Sequence, residues 1–470
     1  MNHFIPRLLL SAPSSGAGKT TLTCAILQAL VNRGLKTASF KSGPDYIDPM
    51  FHSKVIGAPS RNLDLFLSGE KAVQTLLMQN TVNCDVAVLE GAMGYYDGIG
   101  SSDTASAYHL AKATKTPVVL IINPKGMSLS VCAQIAGFIN FRKDSNIGGI
   151  IFNQIPPAYY ELLYQAVTKE TGIPVFGYMP PMPECAIASR HLGLLSAEEV
   201  PALQEKLQRL AGQTERTIDL DGLLGLANNA SPICVAEDVG AENPKRQNQN
   251  STSEPVRIGI AKDAAFQFYY EDSLELLQKM GAQLVAFSPL KDAVLPKNLH
   301  GLFLGGGYPE LYAKQLSQNL PMRESILQTL QNGLPCYAEC GGFLYLGKSI
   351  EEANGVAYPM VGLFDGESRN TGRLVRFGYV TLTAREDNLL CKKGDQIHAH
   401  EFHHWDSTNP GSLFSVQKAS GTTSWQSSQQ RYNTLGGFPH LHFCGNQSLA
   451  ENFIAACRQF GKGMMEHDAK

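Results

Sequence analysis

The chain has little excess charge, no paired-cysteine motif and no long apolar run, and each absence narrows what it can be. Its 39 basic and 42 acidic side chains leave a net charge of −3 over 470 residues. That charge is spread evenly, so neither a nucleic-acid footprint nor an anionic-membrane anchor is expected, and a charged substrate must be held by a local cluster. The 10 cysteines are scattered without a CxxC. Cys24 and Cys132 fall in apolar stretches that look like core. This usage fits a reducing compartment, taken as the cytoplasm, and neither a disulfide framework nor a zinc site. No apolar run approaches the roughly 20 residues that span a bilayer. The first ten residues carry no small-residue cleavage pattern and read as a first strand.

What is present describes an ordinary folded protein, 43% hydrophobic and 17% charged, long enough for two or three domains. From residue 7 to about 235, apolar β-branched runs at 8–12, 37–41, 85–90, 117–123, 148–153 and 174–178 alternate with helix-length segments. That alternation predicts an α/β fold whose parallel sheet is covered on both faces. Residues 240–255 are polar, lack large apolar side chains and read as a linker. A second alternating region has strand candidates at 257–261, 283–287, 301–304 and 335–338, with helices around 274–280 and 324–331. After Asp365 the pattern turns β-rich, with candidates at 376–383 and 396–403, and 449–460 reads as a closing helix. The expected domains are therefore 1–239 and 256–470. No internal repeat is evident.

The first candidate site follows the first strand, at Ser14-Ser15-Gly16-Ala17-Gly18-Lys19-Thr20. A P-loop reads GxxxxGK[ST], its amides wrapping phosphate oxygens at a helix N-terminus, with Lys on the terminal phosphates and the hydroxyl on Mg²⁺. Gly18, Lys19 and Thr20 fit; Pro13 stands where the first glycine belongs. The preceding strand and the helical spacing from Thr21 supply the setting the motif requires. Ser15, Gly16, Gly18, Lys19, Thr20 and Thr21 are thus the expected ATP contacts. The strand at 37–41 ends in Lys41, followed by Asp45 and Asp48; the next ends in Glu90, with Asp97 beyond. Strand ends on one edge of a parallel sheet are where open α/β folds bind ligands. Carboxylate oxygens suit Mg²⁺, which makes Asp48 and Glu90 ligand candidates beside Thr20. Lys41 could neutralise charge on a transferring phosphoryl group. Asp45 and Asp48 could equally cap a turn, and Asp97 could be a turn residue before Gly98.

The second candidate is Cys340, held in Ala338-Glu339-Cys340-Gly341-Gly342 between a strand-like run and two glycines. A nucleophile on a sharp strand-to-helix turn has this pattern, and it serves proteases, esterases and glutaminases alike. A nucleotide loop in the same chain favours amide ligation. A glutaminase also needs amide donors for its oxyanion and a base for its thiol. Gly306 and Gly307, in Gly305-Gly306-Gly307-Tyr308-Pro309-Glu310, with Gly341, are the expected donors. Two histidine clusters compete as base: His398, His400, His403 and His404, or His440 and His442. The alternation of the first invites a metal reading, although packed or surface histidines are commoner. Position late in the chain favours the second.

In these residues the chain resembles the cobyrinate a,c-diamide synthase family over nearly its whole length. The resemblance rests on Lys41-Ser42-Gly43-Pro44-Asp45-Tyr46-Ile47-Asp48-Pro49, Ser189-Arg190-His191-Leu192-Gly193-Leu194, Asp263-Ala264-Ala265-Phe266, Phe268-Tyr269-Tyr270-Glu271, Gly306-Gly307-Tyr308-Pro309-Glu310, Ala338-Glu339-Cys340-Gly341-Gly342 and His400-Glu401-Phe402-His403. It implies a P-loop, dethiobiotin-synthetase-like parallel-sheet domain followed by a class I glutamine amidotransferase domain. It implies ATP and Mg²⁺ as cofactors, and phosphorylation of the a- and c-acetate carboxylates of a corrinoid before ammonia released from L-glutamine displaces the phosphate. By the same matching Cys340 is the nucleophile, His440 its base with His442 as fallback, and Arg190 a substrate-carboxylate contact. From their own positions Lys41 and Asp45 are taken as catalytic in the synthetase chemistry, and Asp97, Gly306, Gly307 and Gly341 as substrate contacts. A homodimer is a further expectation. Phe438-Pro439 stands where the family usually has Ser-Tyr, and Ala399 replaces its usual Gly. The Gly-Pro-Asp-Tyr-Ile-Asp form separates the chain from cobyric acid synthase. Hydrogenobyrinate or nickel-sirohydrochlorin as acceptor, and a nucleotide-dependent switch with a degenerate thiol domain, are the alternatives.

Overall fold

The computed structural model describes residues 2–186, 199–234 and 255–468, and the chain separates into two compact units, Met1–Lys245 and Arg246–Lys470. In the first, strands β1 (Arg7–Ser11), β2 (Thr37–Ser42), β3 (Ser60–Leu63), β4 (Val86–Glu90), β5 (Val118–Ile122), β6 (Ile147–Asn153) and β7 (Val175–Met179) build one sheet. Their order is β3-β2-β4-β1-β5-β6-β7, and every neighbouring pair is parallel. Leu8, Leu10, Val86, Val88, Val119 and Ile121 pack with side chains of the helices Lys19–Asn32, Glu199–Thr217 and Leu220–Asn228. Leu9, Ala87, Leu89, Val118 and Leu120, pointing the opposite way, are equally buried. Burial on both faces explains why these strands read as continuous apolar runs. Six of the seven were legible. β3, with the sequence Ser-Arg-Asn-Leu, lies at the sheet edge and has almost no apolar signal.

In the second unit, β8 (Val256–Ala261), β9 (Ala282–Phe287), β10 (Gly301–Leu304) and β11 (Cys336–Glu339) form the parallel part of a six-stranded sheet. The β-rich segment supplies β12 (Arg376–Ala384), β13 (Gln396–His403), β14 (Phe414–Lys418), β15 (Ser424–Ser427), β16 (Gln429–Arg431), β17 (Thr434–Gly437) and β18 (His440–Leu441). β17 joins β11 in parallel and β16 closes that edge antiparallel, giving the order β9-β8-β10-β11-β17-β16. A second, antiparallel sheet runs β15-β14-β12-β13-β18. The chain thus leaves one sheet at Gly437 and enters the other at His440, and β11 and β18 meet around one set of side chains. One face of the parallel sheet buries Leu302, Leu304, Cys336 and Ala338; the other buries Phe303, Tyr337 and Leu435. The helix candidates at 274–280 and 324–331 are Glu271–Lys279 and Leu320–Gln331, and the last helix is Gln447–Asp468. The described cysteines are free, and no helix among the described residues is long and apolar enough to cross a membrane.

Candidate active site

The loop after β1 enters the helix Lys19–Asn32 through Gly18, which takes φ 87° and ψ 22°. This left-handed conformation suits glycine alone, and a Cβ there would also collide with Asn153 Nδ2. Asn153, at the end of β6, donates from that amide to Ala17 O at 2.8 Å. The loop therefore gets its shape from glycine and its anchorage from a neighbouring strand, an interaction the sequence alone did not signal. Lys19 arches over it, with Nζ donating to Ser14 O at 3.0 Å and Met93 O at 2.5 Å. Burial, and then the charge of Lys41, pull the Lys19 ammonium below its ordinary pKa. Ser15 and Gly16 are exposed at the loop tip, and Thr21 is half-buried in the first helical turn. A cavity of about 260 Å³ runs along Ser14, Ser15 and Gly16 to Asn123, Lys125 and Gln134.

The carboxylates gather where the strand register puts them. Lys41 and Glu90 are direct neighbours across β2 and β4, and Lys41 Nζ bonds Glu90 Oε1 at 2.7 Å and Asp48 Oδ2 at 2.6 Å. Thr20 Oγ1 donates to Glu90 Oε1 at 2.6 Å. One cation faces two buried carboxylates, so negative charge is in excess. Burial opposes the Lys41 ammonium, yet Glu90, Asp48 and Asp45 outweigh it and hold its pKa above the ordinary lysine value. The excess falls on Glu90, whose carboxyl is pushed upward by burial and by Asp48 against the pull of Lys41. Burial also raises Asp45, with Asp48 adding to it. Asp48 is disfavoured by burial but held low by Lys41. Thr20, Asp48 and Glu90 bring a hydroxyl and two carboxylates together, a hard-oxygen set suited to Mg²⁺ shared with phosphates. Among the described residues Glu90 Oε2 is buried with no hydrogen-bond partner, a second feature that fits a cation. Among the described residues no cluster of three or more His, Cys, Asp or Glu forms a metal site by itself.

The other candidates nearby have turn-holding contacts. Asp45 Oδ1 accepts from Ile47 N at 2.7 Å, and Asp97 Oδ2 accepts from Gly94 N at 3.0 Å. His52, not singled out from the sequence, lies buried behind Glu90 with Nε2 at 3.7 Å from Oε2 and Nδ1 at 2.8 Å from Ser39 Oγ. Arg190, with its motif 189–194, lies outside the described residues.

In the second unit Cys340 sits at φ 45° and ψ −102°, between β11 and the helix Gly341–Leu346. A β-carbon-bearing residue at positive φ is strained and is held only where surroundings impose it. Here Cys340 N donates to Gly437 O at 2.7 Å and Gly342 N to Gly305 O at 3.1 Å, and a Cβ on Gly342 would collide with Leu304 O. The glycine run packs on the elbow: a Cβ on Gly341 would stand 3.1 Å from Gly307 N, and one on Gly306 would stand 2.6 Å from His440 Cε1. Gly306, Gly307, Gly341, Cys340 and His440 are thus one cluster. His440 is buried, and its Nδ1 lies 3.3 Å from Glu339 Oε2. Burial opposes its imidazolium, but hydrogen bonds to Cys340 and Glu339 and their charges outweigh this and lift it to about 10.

The other histidines are elsewhere. His442 lies tilted against Tyr270, ring centroids 4.7 Å apart; among the described residues neither of its ring nitrogens has a hydrogen-bond partner, and burial pushes it down to about 4. His400 pairs with His440 across β13 and β18 and is pushed down to about 3 by burial and by His440. His403 stacks on Phe438 at 3.9 Å, a contact made by the residue that departs from the family's usual pattern.

Comparison with known proteins agrees with this two-unit layout. Residues 8–194 match the CobQ/CobB/MinD/ParA nucleotide binding domain family, and residues 257–448 the CobB/CobQ-like glutamine amidotransferase domain family. These two matches define a glutamine amidotransferase joined to a nucleotide-binding unit. The cobyrinate a,c-diamide synthase of Listeria monocytogenes is 40% identical over 458 residues, covering 96% of this chain and 99% of the relative. That of Clostridium acetobutylicum is 40% identical over 453 residues, covering 95% and 99%. The chain belongs to the cobyrinate a,c-diamide synthase family. Among solved structures, a glutamine amidotransferase covers 43% of this chain and 98% of its own at 16% identity and TM-score 0.31, and MinD of Aquifex aeolicus covers 44% and 97% at 15% and 0.31. Likenesses this weak establish nothing about activity.

Proposed function

We propose that the protein uses ATP and L-glutamine to amidate the a- and c-acetate carboxylates of cobyrinate, through acyl-phosphate intermediates. Residues 1–239 are the synthetase, 256–470 the glutaminase, and 240–255 the linker. The observation that carries the reading is the strained Cys340 elbow, packed against glycine amides and hydrogen-bonded to a buried histidine, in a chain that also holds a P-loop.

In the synthetase, Ser15, Gly16, Gly18 and Thr21 cradle the phosphates while Lys19 offsets their charge. Thr20, Asp48 and Glu90 would hold Mg²⁺, which when bound neutralises phosphate charge. Lys41, kept protonated by its carboxylates, stabilises charge on the transferring phosphoryl group. A substrate carboxylate oxygen attacks the γ-phosphorus, the bond to ADP breaks, and an acyl phosphate forms. Ammonia then attacks the acyl carbon and expels inorganic phosphate.

In the glutaminase, Cys340 Sγ loses its proton to His440 and attacks the glutamine amide carbon. The amides of Gly307 and Gly341 receive the oxyanion. His440 returns the proton to the departing ammonia, and water then releases glutamate.

Cys340→Ala should abolish glutamine-dependent amidation while synthesis from free ammonia persists. Product masses from incubations with cobyrinate, hydrogenobyrinate and nickel-sirohydrochlorin identify the acceptor, with two amides expected on cobyrinate. Retention of glutamine-dependent turnover by Cys340→Ala would remove the thiol from the mechanism.

A further inference from the structure

Glu339 is the last residue of β11 and directly precedes Cys340. Its side chain shares a strand face with Tyr337, and both of its oxygens are engaged. Oε1 accepts from Tyr337 OH at 2.7 Å and from Leu441 N at 3.0 Å, while Oε2 lies 3.3 Å from His440 Nδ1. The residue is 2% exposed, so no water competes for these bonds. Two donors lock one oxygen, one of them the backbone amide of the residue next to His440, and this fixes the other oxygen on the imidazole.

Such a carboxylate does a definite job in a nucleophile–base pair. With Nδ1–H engaged by an acid, the imidazole keeps the tautomer that leaves Nε2 to receive the nucleophile's proton, and the cation so formed is stabilised. His440 hydrogen-bonds Cys340 as well as Glu339, and with Nδ1 taken by Glu339 the remaining nitrogen is the one for the thiol. Downstream on the same segment stands His442, which is buried against Tyr270 with neither nitrogen paired. The titratable groups facing His440 are Cys340 from the elbow, Glu339 from β11 and His400 from β13, and His400 is neutral near pH 7.

We propose that Glu339 is the positioning carboxylate of the glutaminase site, orienting His440 and stabilising its imidazolium. The inference rests on the reading of Cys340 as nucleophile. In the transfer itself the S–H bond of Cys340 breaks, an N–H bond forms on His440, and Glu339 gains a charged partner. The acid of the relay therefore comes from the strand before the nucleophile.

The test is Glu339→Gln in the full-length protein. Glutamine keeps the length and the acceptor oxygen for Tyr337 and Leu441 but removes the charge. Its kcat for glutamine hydrolysis should fall by up to about 10⁴-fold, the loss seen when a relay carboxylate is neutralised, with KM for glutamine little changed. The pH profile of Cys340 alkylation by iodoacetamide should shift upward, because the imidazolium that stabilises the thiolate is weakened. Ammonia-dependent amidation, which bypasses the thiol, reports that the variant is folded. Should that activity also be lost, Glu339→Asp decides: it keeps the charge and should keep the low-pH alkylation limb, and an upward shift in that variant refutes the proposal. A Glu339→Gln protein with normal kcat and an unmoved alkylation profile overturns it too. Failure of the underlying reading looks different, since there Cys340→Ala itself would still hydrolyse glutamine.

Discussion

Lys41 is the side chain on which the buried carboxylate cluster turns, since one ammonium bridges two carboxylates that water barely reaches. Removing it leaves buried charges uncompensated, at a cost of about 3–5 kcal/mol. Lys41→Met should accordingly lower the urea midpoint of the first unit's unfolding and abolish amidation from glutamine and from ammonia alike. A Lys41→Met protein with an unchanged midpoint would show that Asp48 and Glu90 do not depend on it. His442 gives a second test through pH. Its folded pKa, about 4 because of burial, is below the unfolded value near 6.5, so the unfolded chain binds the extra proton. Its contribution to stability is intact above about pH 6.5 and is lost as pH falls toward about 4, at up to about 1.4 kcal/mol per pH unit. His440 has the opposite sign: raised to about 10, it adds stability below about pH 6.5 that is lost as pH rises toward 10. His442→Phe should therefore flatten the acid limb between pH 6.5 and 4 in urea unfolding, and an unaltered limb would rule His442 out as its source.

The phosphate loop and the elbow are both places where the chain leaves a parallel strand and enters a helix through a left-handed residue. Gly18 does so without a side chain; Cys340 does so with one and is held by its neighbours. Gly18→Ala adds strain of about 1–3 kcal/mol and displaces Asn153 from Ala17, so ATP affinity measured by calorimetry should drop at least about tenfold, the equivalent of 1.4 kcal/mol. The strand-to-loop settings of both elements were legible because buried parallel strands read as apolar runs and glycines mark the departures. β3 was not, because a polar edge strand of Ser-Arg-Asn-Leu lacks that signal. Asn153 escaped for another reason: its contact with Ala17 joins positions 136 apart in the chain, and no local pattern encodes it.

On the scale of the whole molecule the phosphate loop and the Cys340 elbow stand in separate compact units, each with its own core. Lys19→Ala should then stop amidation with either nitrogen source yet leave Cys340 open to alkylation by a glutamine-like electrophile at the wild-type rate. Peptide mass mapping of the labelled chain checks this; loss of labelling would tie the thiol's reactivity to the nucleotide loop.

By itself the sequence determined the α/β class, the P-loop, the thiol elbow and the family, because each of these is written in contiguous residues whose spacing follows from strand, turn and helix geometry. It located Cys340 but left two histidines as its base. Only the tertiary structure sets the two apart, by bringing β18 of one sheet against β11 of the other so that His440 meets Cys340 and Glu339 while His442 lies tilted against Tyr270. The same holds for Lys41, Asp48 and Glu90, whose meeting depends on strand register and burial. Charge pairing and desolvation act across space, and spacing along the chain does not carry them.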